Sequence, residues 1–201
     1  MRRERRKQEV RKRIVEAGLA LFDAHGFAAT KVSDICRRAD VVNKTFFNHF
    51  PTKQHLLREV AEQSLETLLT DIAQARKRLG STRERLAWFF RRIAENVDAA
   101  GPMRRELVTE MIHVSHGENA GSEQARQIHE AFATMIEEGR QSGDVDISHT
   151  CEAQTEIVVG TFYALMFGWA NVAGYPLRKR AQEAAFLLGD ALCGKDKGAN
   201  R

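Results

Sequence analysis

The sequence predicts an all-α fold of about nine helices: an N-terminal three-helix helix-turn-helix domain followed by a larger helical domain. Three observations point there. Apolar residues recur at steps of three and four along most of the 201 residues, with no run of strict alternation. Only three prolines occur, and each stands where one helical pattern gives way to the next. Apolar residues make up 43% and charged residues 29%, enough to bury a core and keep a wetted surface. No strand pattern and no internal repeat is found. Disorder is expected only at the ends, Met1 to Lys7 and Gly194 to Arg201.

The first helix is expected over residues 8–25, where Val10, Ile14, Ala17 and Leu21 form one face with Gly18 and Phe22 beside it. His25 and Gly26 supply a cationic last turn and a glycine stop. Thr30 is placed to cap a short second helix whose inward face is Val32, Ile35, Cys36 and Ala39. Asp40 is a residue type that tolerates a left-handed turn. A third short helix follows from Asn43 to His49, with Phe46 and Phe50 four apart and Val41 beside them as apolar anchors. Pro51 stops it, and Thr52 can cap what comes next.

Three short helices with a tight turn between the last two describe a helix-turn-helix over about 32–50. The domain is drawn at 8–56, leaving 57–201 for the larger helical part. The latter reads as a long helix from Lys53 to about Leu79, then 83–99, 103–115, 123–141, 151–174 and 177–192. Gly80, Gly101-Pro102, Gly117, Gly143 and Pro176 punctuate these segments. Ile157 to Leu177 carries no charged residue across 21 positions. Its glycines, Asn171 and Pro176 argue for a central core or interface helix, and no membrane span is expected.

Charge is unevenly placed. Residues 1–53 hold thirteen Lys and Arg against six Asp and Glu, a net of +7, within a chain whose total is +4. Most of the excess lies in Arg2, Arg3, Arg5, Arg6, Lys7, Arg11, Lys12 and Arg13. Such asymmetry points to a polyanion, either nucleic acid or an anionic membrane surface. By charge alone, a solvated, solubilising end fits equally well. Cys36, Cys151 and Cys193 are scattered, without metal spacing, and read as small apolar residues in a reducing, cytoplasmic setting. No apolar stretch follows the basic start, so no signal peptide is expected.

The stretch from Ile14 to Val60 resembles the N-terminal domain of the TetR (tetracycline-repressor-like) family. The resemblance is carried by Ala17, Leu21-Phe22 and Gly26-Phe27; then Thr30, Val32 and Ile35; then Thr45-Phe46-Phe47-Asn48-His49-Phe50-Pro51-Thr52-Lys53 and Leu56. It departs from the family pattern at Asp40 (usually Gly), Val42 (often Ser, with Asn43 as the substitute cap), Phe47 (usually Tyr) and Cys36 (commonly Ala). The resemblance implies a cytoplasmic, non-enzymatic regulator of transcription. It implies a symmetric homodimer through the last two helices, bound to a palindromic operator in double-stranded DNA and released as a repressor by a small-molecule effector. A membrane-surface or nonspecific nucleic-acid binder using the basic N-terminus is the alternative.

Within that frame, Asn43, Lys44, Thr45 and Asn48 are the expected base readers, because Lys and Asn pair with guanine and adenine edges in a major groove. Phe47 and His49 are expected at backbone or base edges, Ser33 as one added contact, and Lys53 at a phosphate. A cation at a helix N-terminus opposes the helix dipole, which favours that last reading. The basic tract can track phosphates or enter a minor groove. Phe89, Phe90, Met103, Leu107, Met111, Phe132, Met135, Phe162, Tyr163, Met166 and Trp169, with Trp88 and Phe167, are soft and aromatic enough to line an effector cavity, although for any single one of them ordinary core is the favoured reading. Gly160, Ala164 and Gly168 are small enough for close helix approach at a dimer interface. Glu110, His113, His116 and His129 are the one His/carboxylate group, read as ligand anchors or surface rather than a metal site. No cofactor is expected. No P-loop, GxGxxG, HExxH, GxSxG or paired-carboxylate site is present to support an enzyme.

Overall fold

The basic N-terminal tract is the start of a helix. The computed structural model describes the backbone of residues 2–98 and 120–194, and side chains over 4–96 and 123–194. Its helices are α1 (Arg2–His25), α2 (Val32–Ala39), α3 (Asn43–His49), α4 (Lys53–Arg76), α5 (Thr82–Asp98), α6 (Ala120–Ser142), α7 (Cys151–Asn171) and α8 (Leu177–Cys193). Among the described residues there are eight helices and no strand. The helix expected over 103–115 lies outside them, together with Met103, Leu107, Met111, Glu110, His113 and His116.

Helix α1 begins at Arg2 rather than near residue 8 because its first turns need no apolar face. They consist mostly of good helix formers, with Arg5 and Glu9 paired one turn apart at 3.3 Å. Helix α7 stops at Asn171, three residues short of the expected end, where Val172 turns extended and Gly174 takes a positive φ of 70°.

The described residues form two units that divide between Ser64 and Leu65, inside α4. The first has one core: Ile14, Val15, Ala17 and Phe22 of α1, Ile35, Cys36 and Ala39 of α2, Phe46 and Phe50 around α3, and Leu56, Leu57, Val60 and Ala61 of α4. Gly18 lets α1 lie close to Leu56: a Cβ would stand 2.6 Å from its Cδ2, so the leucine would have to shift. Two expected caps differ. The Thr30 hydroxyl turns back and donates to the carbonyl of Gly26 at 2.8 Å, with that of Leu21 at 3.2 Å, and Lys31 occupies the N-cap of α2 without a side-chain bond. Asn43 is the first helical residue of α3 and Val42 its N-cap, so Asn43 keeps its amide free of that task. Thr52 does cap α4, accepting from the His55 N–H at 3.3 Å.

In the second unit α5 packs on α8, α6 on α7, and α7 on α8. Asp144 accepts from the Thr82 N–H at 2.5 Å and hydroxyl at 2.9 Å, capping α5 from the loop after α6. Arg83 holds Asp190 at 2.7 Å and the Gly194 carbonyl at 2.6 Å, tying α5 to the end of α8. Gly168 lies against the ring of Tyr175 in the same chain, so its smallness serves an internal contact rather than an outer face. No helix of the described residues is long and apolar enough to cross a membrane.

Candidate nucleic-acid interface

Helix α3 has seven residues, under two turns, and could not persist alone in water. It is held from beneath. Phe46 is fully buried, and its ring lies 5.9 Å from that of Phe50 and 5.4 Å from that of Phe47. The turn before α3 closes through Asp40, whose φ of 52° is the one positive value at a non-glycine residue among those described. The Val41 N–H donates to the Cys36 carbonyl at 3.0 Å across that turn.

With Phe46 pointing in, the opposite side of α3 faces out. Asn43, Lys44, Phe47 and Asn48 are exposed, and Thr45 and His49 are partly so. Ser33 is exposed on α2. The structure thus brings Asn43, Lys44, Phe47 and Asn48 to one outer surface. Val42, read from the sequence as a failed cap, is 67% exposed at the head of that surface. An exposed branched apolar residue beside a polar helix face was the signal that could have singled it out.

Two residues stand apart from the expectation. His49 has a buried Nδ1 with no hydrogen-bond partner. Its burial, then the charges of Arg11 and Lys7, push its pKa below the usual value of 6.5, so the imidazole is neutral at pH 7. The Lys53 ammonium turns inward. It donates to the carbonyls of Phe27 at 2.6 Å and Thr30 at 2.8 Å and sits 4.2 Å above the Phe27 ring. These two acceptors explain a lysine that the helix dipole of α4 alone would disfavour.

The effector-cavity candidates that are described pack on one another in the second unit. The Phe89 ring lies 5.0 Å from that of Phe132, 5.3 Å from Phe90 and 6.0 Å from Phe162, with Tyr163 5.6 Å beyond Phe162. Met135, Met166 and Trp169 are buried in the same unit, and burial pushes the Tyr163 phenol up. Trp88 is taken by Arg78, whose guanidinium lies 5.2 Å from its ring. Among the described residues no three His, Cys, Asp or Glu side chains are grouped to hold a metal.

A three-helix unit that presents a short polar helix outward from an aromatic anchor is a helix-turn-helix domain of the DNA-binding kind. Residues 14–60, which hold this helix-turn-helix, match the family profile described as bacterial regulatory proteins, tetR family. The chain is similar to the HTH-type transcriptional repressor KstR of Mycolicibacterium smegmatis, at 25% identity over 139 residues, 68% of each chain. Its fold is that of SmeT, the repressor of the Stenotrophomonas maltophilia multidrug efflux pump SmeDEF, with a TM-score of 0.70 at 16% identity over 93% of this chain and 91% of that one. It is likewise the fold of the Thermus thermophilus repressor FadR in complex with lauroyl-CoA, with a TM-score of 0.66 at 21% identity over 95% of this chain and 99% of that one.

Proposed function

We propose that the protein is a repressor that grips a palindromic operator as a symmetric homodimer and lets go when a small apolar or amphipathic effector binds its second unit. The observation that carries the reading is the two-sidedness of α3: Phe46 is fully buried while Asn43, Lys44 and Asn48 face outward. Asn43, Lys44, Thr45 and Asn48 read base edges. Phe47, His49 and Ser33 touch backbone or base edges. Lys53 has two protein acceptors, and its part at a phosphate is limited to the remaining N–H.

Dimerisation runs through α7 and α8. Ile157 and Phe167 on α7 and Phe186 and Leu187 on α8 are all more than half exposed, and large apolar groups left at a surface are what a subunit interface would bury. Gly160 has open space where a side chain would stand, and Ala164 is exposed, so two such faces can approach closely. Two α3 helices then meet successive major grooves about 34–36 Å apart.

The aromatic and methionine group around Phe89, Phe90, Phe132, Met135, Phe162, Tyr163, Met166 and Trp169 suits an apolar effector, as does the lauroyl-CoA carried by the structural relative. Met103, Leu107 and Met111 complete that proposed lining from outside the described residues. Effector binding changes the set of α4, which starts at Lys53 in one unit and ends at Arg76 in the other. A coupling of about 1–3 kcal/mol would weaken operator binding roughly 5–150-fold. Binding, not covalent chemistry, is the whole of the proposed activity, and its place is the cytoplasm.

The test is selection from a pool of random duplexes by the intact chain. An enriched inverted repeat with half-site centres one helical turn apart is expected. A chain that retains all sequences alike supports the rival reading, a nonspecific binder using its basic N-terminus.

A further inference from the structure

We infer that Arg11 is a positioning residue for DNA recognition, locking the end of α3 in place rather than touching the duplex. The inference rests on the DNA-reading role proposed for α3. In the sequence Arg11 is one of eight cations in a basic tract, with nothing to set it apart. In the structure it has a different job from its neighbours. Arg5, Arg6, Lys7, Lys12 and Arg13 are exposed, whereas the Arg11 side chain is only 34% exposed and turned inward.

One guanidinium links α1 to two further elements of the first unit, α3 and α4. Its Nη2 donates to Glu59 Oε2 on α4 at 2.5 Å and its Nε to Glu59 Oε1 at 3.3 Å, a two-pronged pair. Its Nη1 donates to the carbonyl of His49, the last residue of α3, at 3.2 Å. Its central carbon lies 4.5 Å from the centroid of the Phe50 ring. Each contact has a physical reason. The last carbonyls of a helix have no partner within it, and the C-terminal end carries partial negative charge, so a cation there satisfies both. A planar fork can bond a carboxylate on one edge and a carbonyl on another while stacking on a ring, which an ammonium cannot do.

Helix α3 is therefore held by apolar anchors and by a polar clamp. Phe46 and Phe50, both buried, set its depth. Arg11, braced by Glu59, fixes the end that carries Asn48 and His49. The rings hold α3 from beneath, but neither bonds the free carbonyl at its end, which Arg11 does, and a hydrogen bond to a base edge depends on donor–acceptor distance and angle. Loss of the clamp should thus damage sequence discrimination while leaving nonspecific attraction, which depends on exposed charge, in place.

The test uses the full chain, the duplex it selects from a random pool, and poly(dI–dC) as nonspecific competitor. Arg11→Gln, Arg11→Lys, Glu59→Gln and the Arg11→Gln/Glu59→Gln pair are titrated, with the active fraction measured at stoichiometric DNA so that misfolded protein does not masquerade as weak binding. Each single change should weaken the selected duplex about tenfold or more, on the scale of a charge-assisted hydrogen bond. Affinity for poly(dI–dC) should stay within about twofold, and the double variant should be no worse than the weaker single. Glu59→Gln carries the sharpest sign. Removing an acid near DNA and freeing Arg11 tightens binding if Arg11 is a phosphate contact, but weakens it if Arg11 is a clamp. Tighter binding by Glu59→Gln, wild-type affinity in Arg11→Lys, or equal losses on both DNAs overturns the inference alone. A wild-type chain that enriches no sequence overturns the DNA reading beneath it, and the inference falls with it.

Discussion

The Lys53 ammonium lies 2.6 Å from the carbonyl oxygen of Phe27 and 4.2 Å above the ring of the same residue. With the Thr30 carbonyl as second acceptor, the first residue of α4 staples the turn between α1 and α2. Replacing Lys53 by Met keeps the stem and removes the donor, leaving two carbonyls to find water. The free protein should lose about 1–3 kcal/mol in a urea melt without DNA present. An unchanged midpoint would mean that the staple contributes nothing and that the charge acts elsewhere.

Acid should weaken the first unit through His49. Burial, then Arg11 and Lys7, lower its pKa in the folded chain. The folded form therefore binds this proton less readily than the unfolded chain. The stability it contributes is fully present above the unfolded value, about 6.5, and is lost as pH falls through that value toward the lowered folded one. Melts at about pH 7.5 and about pH 5.5 should show a smaller acid loss in His49→Gln than in the wild type. Equal losses would contradict the sign.

Asp144 supports α5 from 62 residues away in sequence, accepting both the N–H and the hydroxyl of buried Thr82. Asp144→Ala strands both donors and should cost about 1–2 kcal/mol, the range for a lost helix cap. Asp144→Asn keeps one acceptor and should cost less. The order of the two melting temperatures is the check.

The outward apolar groups of α7 and α8 make a prediction about assembly. Leu187→Glu places a charge where Phe186, Phe167 and Ile157 are also exposed. Sedimentation should show a dimer for the wild type and a monomer for the variant, with helical content retained. A variant that stays dimeric places the interface on another face.

Much of this was legible from local pattern. The His25-Gly26 stop, the left-handed Asp40, the Thr52 cap and the inward Phe46 are all encoded by residues within a turn of one another. What was not legible depends on partners far along the chain. Arg11 and Glu59 are 48 residues apart, and Lys53 and Phe27 are 26 apart. Periodicity assigns a residue to a face but not to an opposite number, so both cations read as free for DNA. Thr30 was read as a cap because Ser and Thr before a helix usually are. Its hydroxyl instead bonds backward to Gly26, a choice made by the tight turn after α1. The first turns of α1 were missed for another reason: helix built from polar helix formers leaves no apolar stripe to find.

The most direct test of the central claim, that the outer side chains of α3 read bases, is a comparison of wild type and Asn48→Ala on the selected duplex and on every single base-pair replacement of one half-site. The account predicts that Asn48→Ala loses discrimination at one or two adjacent base pairs, by about 1–3 kcal/mol, and keeps it elsewhere. Unaltered discrimination at every position, or the same weakening on every duplex, would contradict it.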